Sequence, residues 1–532
     1  MPVKHPSRIL WGSLILGLFF DILFWKQAPG ISFFLFTMLV LIAGYAIAWL
    51  EGIKPAKLSW ILTGLVVYFS AMTVIREEPF TTFINGLLSL TCLGLLTLTF
   101  SSGLWLRYSL ADTLTGLVRL IGSALVGGST LLAAPSKAAA SIEDGNRVRT
   151  NSKISVWAVL RGVLLAFPVV FFLALLLSSA DMMFSKELER ILNIDKWFEY
   201  GVQGVIIAVI GYLLSGIYLY VVEKSNRVDL IGLEKPWFKP FLGFTESAIV
   251  LGSVNLLFVF FVSIQFKYFF GGQANISLEG FTFAEYARKG FGELIFVAFI
   301  SLMLYLGLST VTRRESEYKQ KWFAGLGLAL VGLVIVILIS SFYRLNLLED
   351  AYGFSRLRTY SHVFMIWLGI LLAAVIGLEI SGYRRGFAMS AFFVVIGFGI
   401  TLNVLNVDAF ILQSNVNRAV SRGNLDYFYL QELSDDSVPA GLEQFRTVKD
   451  PKVKHLLGAS LVCRADGLEK RIKDRSWQSY HYSLYTAVNE LRAAGNELKD
   501  YQVVELNDSS NPVKVTTPDG VMDCFSNVGL MD

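Results

Sequence analysis

Charge is what this chain has least of. Only 17% of its 532 residues are Asp, Glu, Lys or Arg, against ~25% in ordinary soluble domains. Histidine occurs four times and cysteine three times, which leaves few ligands for a catalytic metal. No HExxH pair is present, and no GxxxxGK[ST] loop, so neither a zinc protease nor a P-loop ATP-driven pump lies within the chain. Ser361 beside His362 does not make a nucleophile–base pair, because adjacent helical residues do not face each other. Three cysteines exclude a disulfide scaffold. The apolar set AVILMFWYC supplies 54% of the residues, and the mean hydropathy is +0.56. That composition excludes a soluble enzyme and a disordered chain.

What is present is a set of long apolar runs. A spanning helix needs about 20 largely apolar residues. Ten stretches of 18 or more residues carry no formal charge: 27–50, 58–75, 79–106, 162–180, 200–222, 247–266, 294–312, 322–343, 359–378 and 386–407. An eleventh, 9–25, is interrupted only by Asp21. Backbone groups in lipid must be bonded internally, so these runs predict helices. Trp25, Trp49, Trp60, Trp105 and Trp322 stand near their ends, as interfacial aromatics do. The expectation is an all-α polytopic membrane bundle of about eleven helices with a small, mainly α C-terminal soluble domain.

The run 120–136 is short, glycine-rich and preceded by Arg119, with Pro135 near its end. It reads as a segment that spans, lies in the interface or re-enters, the non-spanning readings being favoured, after four front helices, with 137–153 a cytoplasmic linker before a seven-helix rear part over 154–411. Cytoplasmic loops are enriched in Lys and Arg. With the N-terminus inside and 120–136 not spanning, inside segments carry 20 Lys and Arg and outside segments 11. This favours a cytoplasmic N-terminus and a C-terminal domain outside.

Residues 412–532 hold 14 Lys and Arg and 17 Asp and Glu. That is an ordinary soluble charge density with a net negative sign, which argues against nucleic-acid binding. Leu425, Phe428, Tyr429 and Leu433 recur at helical spacing, as do Val453, Leu456, Leu457 and Leu461. Asp450 before Pro451 reads as a helix start. Residues 502–506 and 513–516, with the turn signal Pro518-Asp519-Gly520, read as a short hairpin. Cys463 and Cys524 both fall here: either they form a disulfide, or they are two buried thiols.

Five pieces carry a resemblance: RGVLLAFPVVFFLALLLSSADMMF at 161–184, YARKGFGEL at 286–294, YGFSRLRTY at 352–360, NVLNVDAFILQSNVNRA at 403–419 and YLQELSDDSVP at 429–439. Together they resemble a family of bacterial polytopic membrane proteins classed as a domain of unknown function, types 4153 and 4173. The likeness covers the rear membrane part and the start of the tail, with little contributed by the four front helices. It implies a multi-pass bacterial membrane protein and brings no reaction, cofactor or catalytic residue.

Alternation of spans puts four of these pieces on one membrane face, where the tail attaches. That face mixes signs: Asp181, Glu293 and Asp408 against Arg288, Arg356, Arg358 and Arg418, with Asn406 and Asn415. A planar guanidinium fork suits a carboxylate or phosphate, so these nine residues are the candidate ligand- or partner-binding face, for an anionic lipid or an envelope component. The alternative is internal Arg–Asp pairing that fixes helix ends and docks the tail. Glu246, Glu293 and Asn255 instead suggest an ion path through the bundle. The expectation is therefore a non-enzymatic envelope scaffold or sensor, without cofactor or metal, and alternatively a secondary transporter of an anionic or lipidic solute.

Overall fold

The computed structural model describes residues 3–143, 195–226, 230, 239–270, 291–383, 386–423, 425–473, 475–504 and 513–524, with 166, 170, 172–173, 176–181 and 183–184. The helices are α1 (Pro6–Phe24), α2 (Ile31–Glu51), α3 (Ser59–Ile75), α4 (Pro79–Thr99), α5 (Leu110–Glu143), α6 (Asp195–Lys224), α7 (Phe244–Phe270), α8 (Phe291–Val311), α9 (Glu317–Tyr352), α10 (Arg356–Ser381) and α11 (Gly386–Leu405). The tail adds α12 (Val407–Arg422), α13 (Tyr427–Glu432), α14 (Val438–Thr447), α15 (Pro451–Lys473) and α16 (Tyr482–Ala493). After these come the strands β1 (Gln502–Val504), β2 (Lys514–Thr517) and β3 (Gly520–Asp523).

Ten helices among the described residues are long and apolar enough to cross a bilayer. Nine match the runs read from the sequence. Ser59–Ile75 is apolar but has only 17 residues, and most of 162–180 lies outside the described residues. The tenth is Leu110–Leu131, which takes in most of 120–136 and is long and apolar enough for the spanning alternative. Arg119 had set the start of that run, but the helix begins ten residues before the run, at Leu110. Ser109 N–H and Oγ both donate to Asp112 at 2.9 and 2.7 Å, holding the first turn. Residues 137–143 continue this helix rather than opening a linker, and 144–153 lie outside the described residues.

Close helix contact is made through small residues. A Cβ on Gly17 would strike the carbonyl of Ile207, and one on Gly216 would strike Ser123 O. Backbones approach this closely only where the side chain is absent, which is how helices associate in lipid without a hydrophobic drive. Front and rear parts also meet at α4 and α11, where Asn85 and Asn403 exchange side-chain hydrogen bonds at 2.9 and 2.6 Å while fully buried.

The tail has its own core. Ile411, Leu412 and Val416 of α12 pack with Leu442, Phe445, Leu457, Leu484, Val488 and Val515. The chain turns from α11 into α12 at Asn406, which sits at φ 48°, a left-handed conformation that asparagine tolerates better than most residues. β1 and β3 flank β2 in an antiparallel sheet, one strand more than the hairpin expected. Cys463 of α15 and Cys524 after β3 are joined by a disulfide across a sequence separation of 61, fastening the sheet to the helices.

Candidate functional site

The charged face resolves into three groups of contacts where the tail meets the ends of the membrane helices. The first begins at the turn between α3 and α4. Glu78 caps α4, accepting from Phe80 N and Thr81 N at 3.0 and 2.7 Å, with Pro79 at the first helical position. The turn leaves the backbone N–H groups of Glu77 and Glu78 unused by the helix. Both donate at 2.9 Å to one oxygen of Asp436. Arg76 stands 3.9 Å from the other oxygen and donates to Asn403 O at 2.6 Å. Asn406 donates to Asp436 O at 3.2 Å.

Beside it, Asp435 is 2% exposed and is held by two arginines of α15. Arg464 donates to it at 3.2 Å and also to Leu430 O and Gln431 O. Arg471 donates to Asp435 at 3.0 Å and to Glu77 at 2.5 Å, while Arg475 lies 3.6 Å from Glu77. Glu77 and Asp435 thus share Arg471, which donates to both carboxyls. Burial, and then the neighbouring Asp435 charge, push the Glu77 carboxyl up to about 8. Burial opposes the charge on Asp435, but the guanidinium groups of Arg464 and Arg471 outweigh it and hold this carboxyl below its ordinary range. Glu77 Oε2 is buried and has no hydrogen-bond partner. Asp436 is raised by burial.

In the second group Arg356, at the start of α10, grips Asp408 of α12 with Nε and Nη2 at 2.9 and 2.6 Å. Asp408 is fully buried, and the oxygen that takes Nη2 also accepts Ser434 N at 2.6 Å. The Arg356 backbone N–H donates to Tyr429 Oη at 2.9 Å. The two-pronged arrangement fits a guanidinium to a carboxylate. The turn between α9 and α10 is clamped alongside: Asn415 accepts from Phe354 N at 2.7 Å and donates to Phe354 O at 2.9 Å. Arg358 donates to Gly353 O, and Arg418 to Asp350 O and Ala351 O at 3.1 and 2.6 Å. Gly353 sits at φ 84°, and a Cβ there would lie 2.7 Å from Asn415 Oδ1.

The third group seats the segment before α16 on the loop between α1 and α2. Ser479 Oγ donates to Ala28 O at 2.7 Å, Ile31 N to Tyr480 O at 3.0 Å, and His481 Nε2 lies 3.1 Å from Pro29 O. Ser476 Oγ bonds Gln27. Gly30 allows the approach, since a Cβ would lie 2.7 Å from Ser479 C. Burial lowers the His481 imidazole, keeping it neutral at the joint.

Six of the nine sequence candidates, Arg356, Arg358, Asn406, Asp408, Asn415 and Arg418, thus come together, with protein groups as their partners. Asp181 is exposed and accepts from Met183 N and Phe184 N, the next turn of its own chain. Glu293 is exposed on the first turn of α8, and Arg288 lies outside the described residues. Sequence reasoning missed Arg76, Glu77 and Glu78, which sit between two apolar runs and read as an ordinary loop. It also missed Asp435 and Asp436, although the SDD of YLQELSDDSVP was in view, and Arg464, Arg471 and Arg475. A pair of adjacent acids with no basic residue within four positions was the available signal.

The model of a family described as a domain of unknown function (DUF4153) matches residues 61–444. The chain belongs to that family. The match starts inside α3 and ends inside α14, so it takes in two of the front helices, which the sequence pieces had left out. The turn at 76–78, Asp408 and Asp435–Asp436 all fall within it, whereas Arg464, Arg471 and Arg475 lie beyond its end. No curated protein and no solved structure matches this chain. The protein is a multi-pass membrane protein of this family. Among the described residues no cluster of His, Cys, Asp and Glu is arranged to hold a metal.

Proposed function

We propose that the protein is a non-enzymatic envelope scaffold or sensor whose C-terminal domain is locked onto the ends of its membrane helices. The observation that carries this reading is the buried network of Glu77, Asp435, Asp436 and the α15 arginines. Buried charges are tolerated when paired, and here the pairs run between the tail and the turns of the bundle rather than toward open space. The six candidates that come together therefore act mainly in docking, and the partner or ligand meets the outer surface of the docked domain.

The geometry also supports a side. The tail is bonded to the loops at 27–30 and 76–78, one and three helices from the N-terminus. Lys4 N and His5 N are bonded to Glu51 at the opposite end of α2, at 2.8 and 2.9 Å. These contacts at opposite ends of α2 support a domain across the membrane from the N-terminus. A basic N-terminus inside puts the domain outside, where a Cys463–Cys524 bridge suits the oxidising environment. A transporter reading has less behind it. Glu246 and Glu293 are exposed, and neither lines the apolar cavity of about 280 Å³ inside the bundle.

The test uses a host that depends on the protein. A Gln27→Cys, Ser476→Cys chain, oxidised to lock the domain in place, is expected to retain full complementation. An Asp436→Ala chain that reaches the membrane but exposes its tail to protease is expected to lose it. The opposite pattern, with the locked chain inactive and the released one active, would replace the scaffold with a machine of moving parts.

A further inference from the structure

We infer that the protein binds one acyl chain of a membrane lipid in the half-open cavity lined by α2, α4, α5 and α6. The cavity measures about 280 Å³, nearly twice the ~150 Å³ of an apolar cavity that stays dry and takes up benzene. Gly44, Leu93, Gly94, Leu117, Leu214 and Tyr218 are among its walls. Three occupants are physically conceivable. Emptiness is one, but the cost of a void grows with its volume. Water is another, but a buried water needs two to four polar partners, and the wall hydroxyls are already spent. Tyr218 Oη donates to Val40 O at 2.9 Å, Tyr45 Oη is 2.6 Å from Thr63 Oγ1, and Thr97 Oγ1 donates to Gly94 O at 2.7 Å.

The third occupant is hydrocarbon, and the bilayer supplies it. All four walls are spanning helices, so the surrounding solvent is acyl chain. Leu90, in the wall, is 56% exposed, so the cavity meets the lateral surface of the bundle beside α4. The missing side chain of Gly94 provides room: a Cβ there would touch only Leu117 Cδ2, at 3.5 Å. The gain is dispersion contact with walls that otherwise have none on one side. A headgroup has no place inside, so recognition is of the chain.

The experiment uses the full chain in vesicles of phosphatidylglycerol carrying a diazirine near the end of one acyl chain. Illumination is expected to label the α4 segment Leu93–Thr97 and the facing part of α5 in the wild-type protein. In Gly94→Leu, whose side chain fills the space, that labelling is expected to fall to background. Gly86→Leu, on the same helix with nothing within 4 Å of a Cβ, is expected to keep it. Labelling confined to the outward residues Phe83 and Leu87, or unchanged in Gly94→Leu, would overturn the inference. The wild-type labelling map decides the matter even if Gly94→Leu does not fold. Thermal stability of delipidated protein gives a second reading. Long-chain phosphatidylglycerol is expected to raise the Tm and its dihexanoyl analogue is not; an equal rise from both would also overturn it.

Discussion

Replacing Asp436 with alanine is the sharpest perturbation of the docked state. One oxygen of this carboxylate accepts two backbone N–H groups at 2.9 Å, from Glu77 and Glu78, and the residue is 5% exposed. The substitution strands both donors, each costing about 1–3 kcal/mol when left buried and unpaired. It also removes a negative group from beside Arg76, where breaking a buried pair costs about 3–5 kcal/mol. These costs overlap because the turn relaxes and water enters, so a net loss of about 4 kcal/mol is expected, or roughly a thousandfold in the docking equilibrium. Limited proteolysis of the full chain in membranes reads it out directly. The residues around 424, between α12 and α13, and the segment before α16 should become cleavable in Asp436→Ala while the bundle stays intact. Asp466→Ala, which removes only a solvent-facing partner of Lys470, is the control and should change cleavage little. If Asp436→Ala is no more cleavable than Asp466→Ala, the network does not hold the domain.

Three further outcomes follow from other parts of the structure. Because the Glu77 carboxyl is raised in the docked state, docking binds a proton. Its contribution is fully present below the ordinary glutamate value and is lost as pH rises toward about 8. Proteolytic release should therefore increase between pH 6 and pH 8.5 in the wild type, and Glu77→Gln should flatten that dependence. Reducing the Cys463–Cys524 bond frees a closed loop spanning 61 positions. By chain entropy this costs about 4 kcal/mol, and it should lower the Tm of the tail's unfolding step without touching the bundle. Gly216→Val puts a branched side chain against the backbone of Ser123 and Ala124, which should force α5 and α6 apart, cost about 1–3 kcal/mol and reduce the folded fraction seen by gel filtration in detergent.

The membrane helices were legible because lipid imposes a single rule, long runs without charge, and the local sequence states it. The rule fails where a helix carries charge it can manage. Asp112 satisfies the α5 start and Arg119 lies on an exposed face, so a charge-free window began ten residues late. In the charged face, Arg356 and Asp408 were found because each stands at the end of an apolar run. Glu77 pairs with Arg471 across 394 residues, and no local pattern reports a contact of that separation. Asp435 and Asp436 read as a soluble loop because their partners belong to other segments. The mixed signs of the face were visible; what each sign is for depended on the tertiary fold.

The cost of this network argues for its purpose. Burying charge is rarely the cheapest way to hold two surfaces together, since an apolar contact of the same volume is often as stable. What paired charges and two-pronged hydrogen bonds add is orientation, because they are satisfied in one registry and penalised in others. The tail reaches the bundle at three separate places, the loops at 27–30, 76–78 and 353–354. An apolar face would let it slide among the ends of so many apolar helices. Asp436 reading two successive N–H groups fixes its position at the α3–α4 turn, and Arg356 on Asp408 fixes its rotation at α10. The raised Glu77 carboxyl beside Asp435 then makes this like-charge contact in the joint depend on pH, so the element that sets the domain's pose is also the element able to release it.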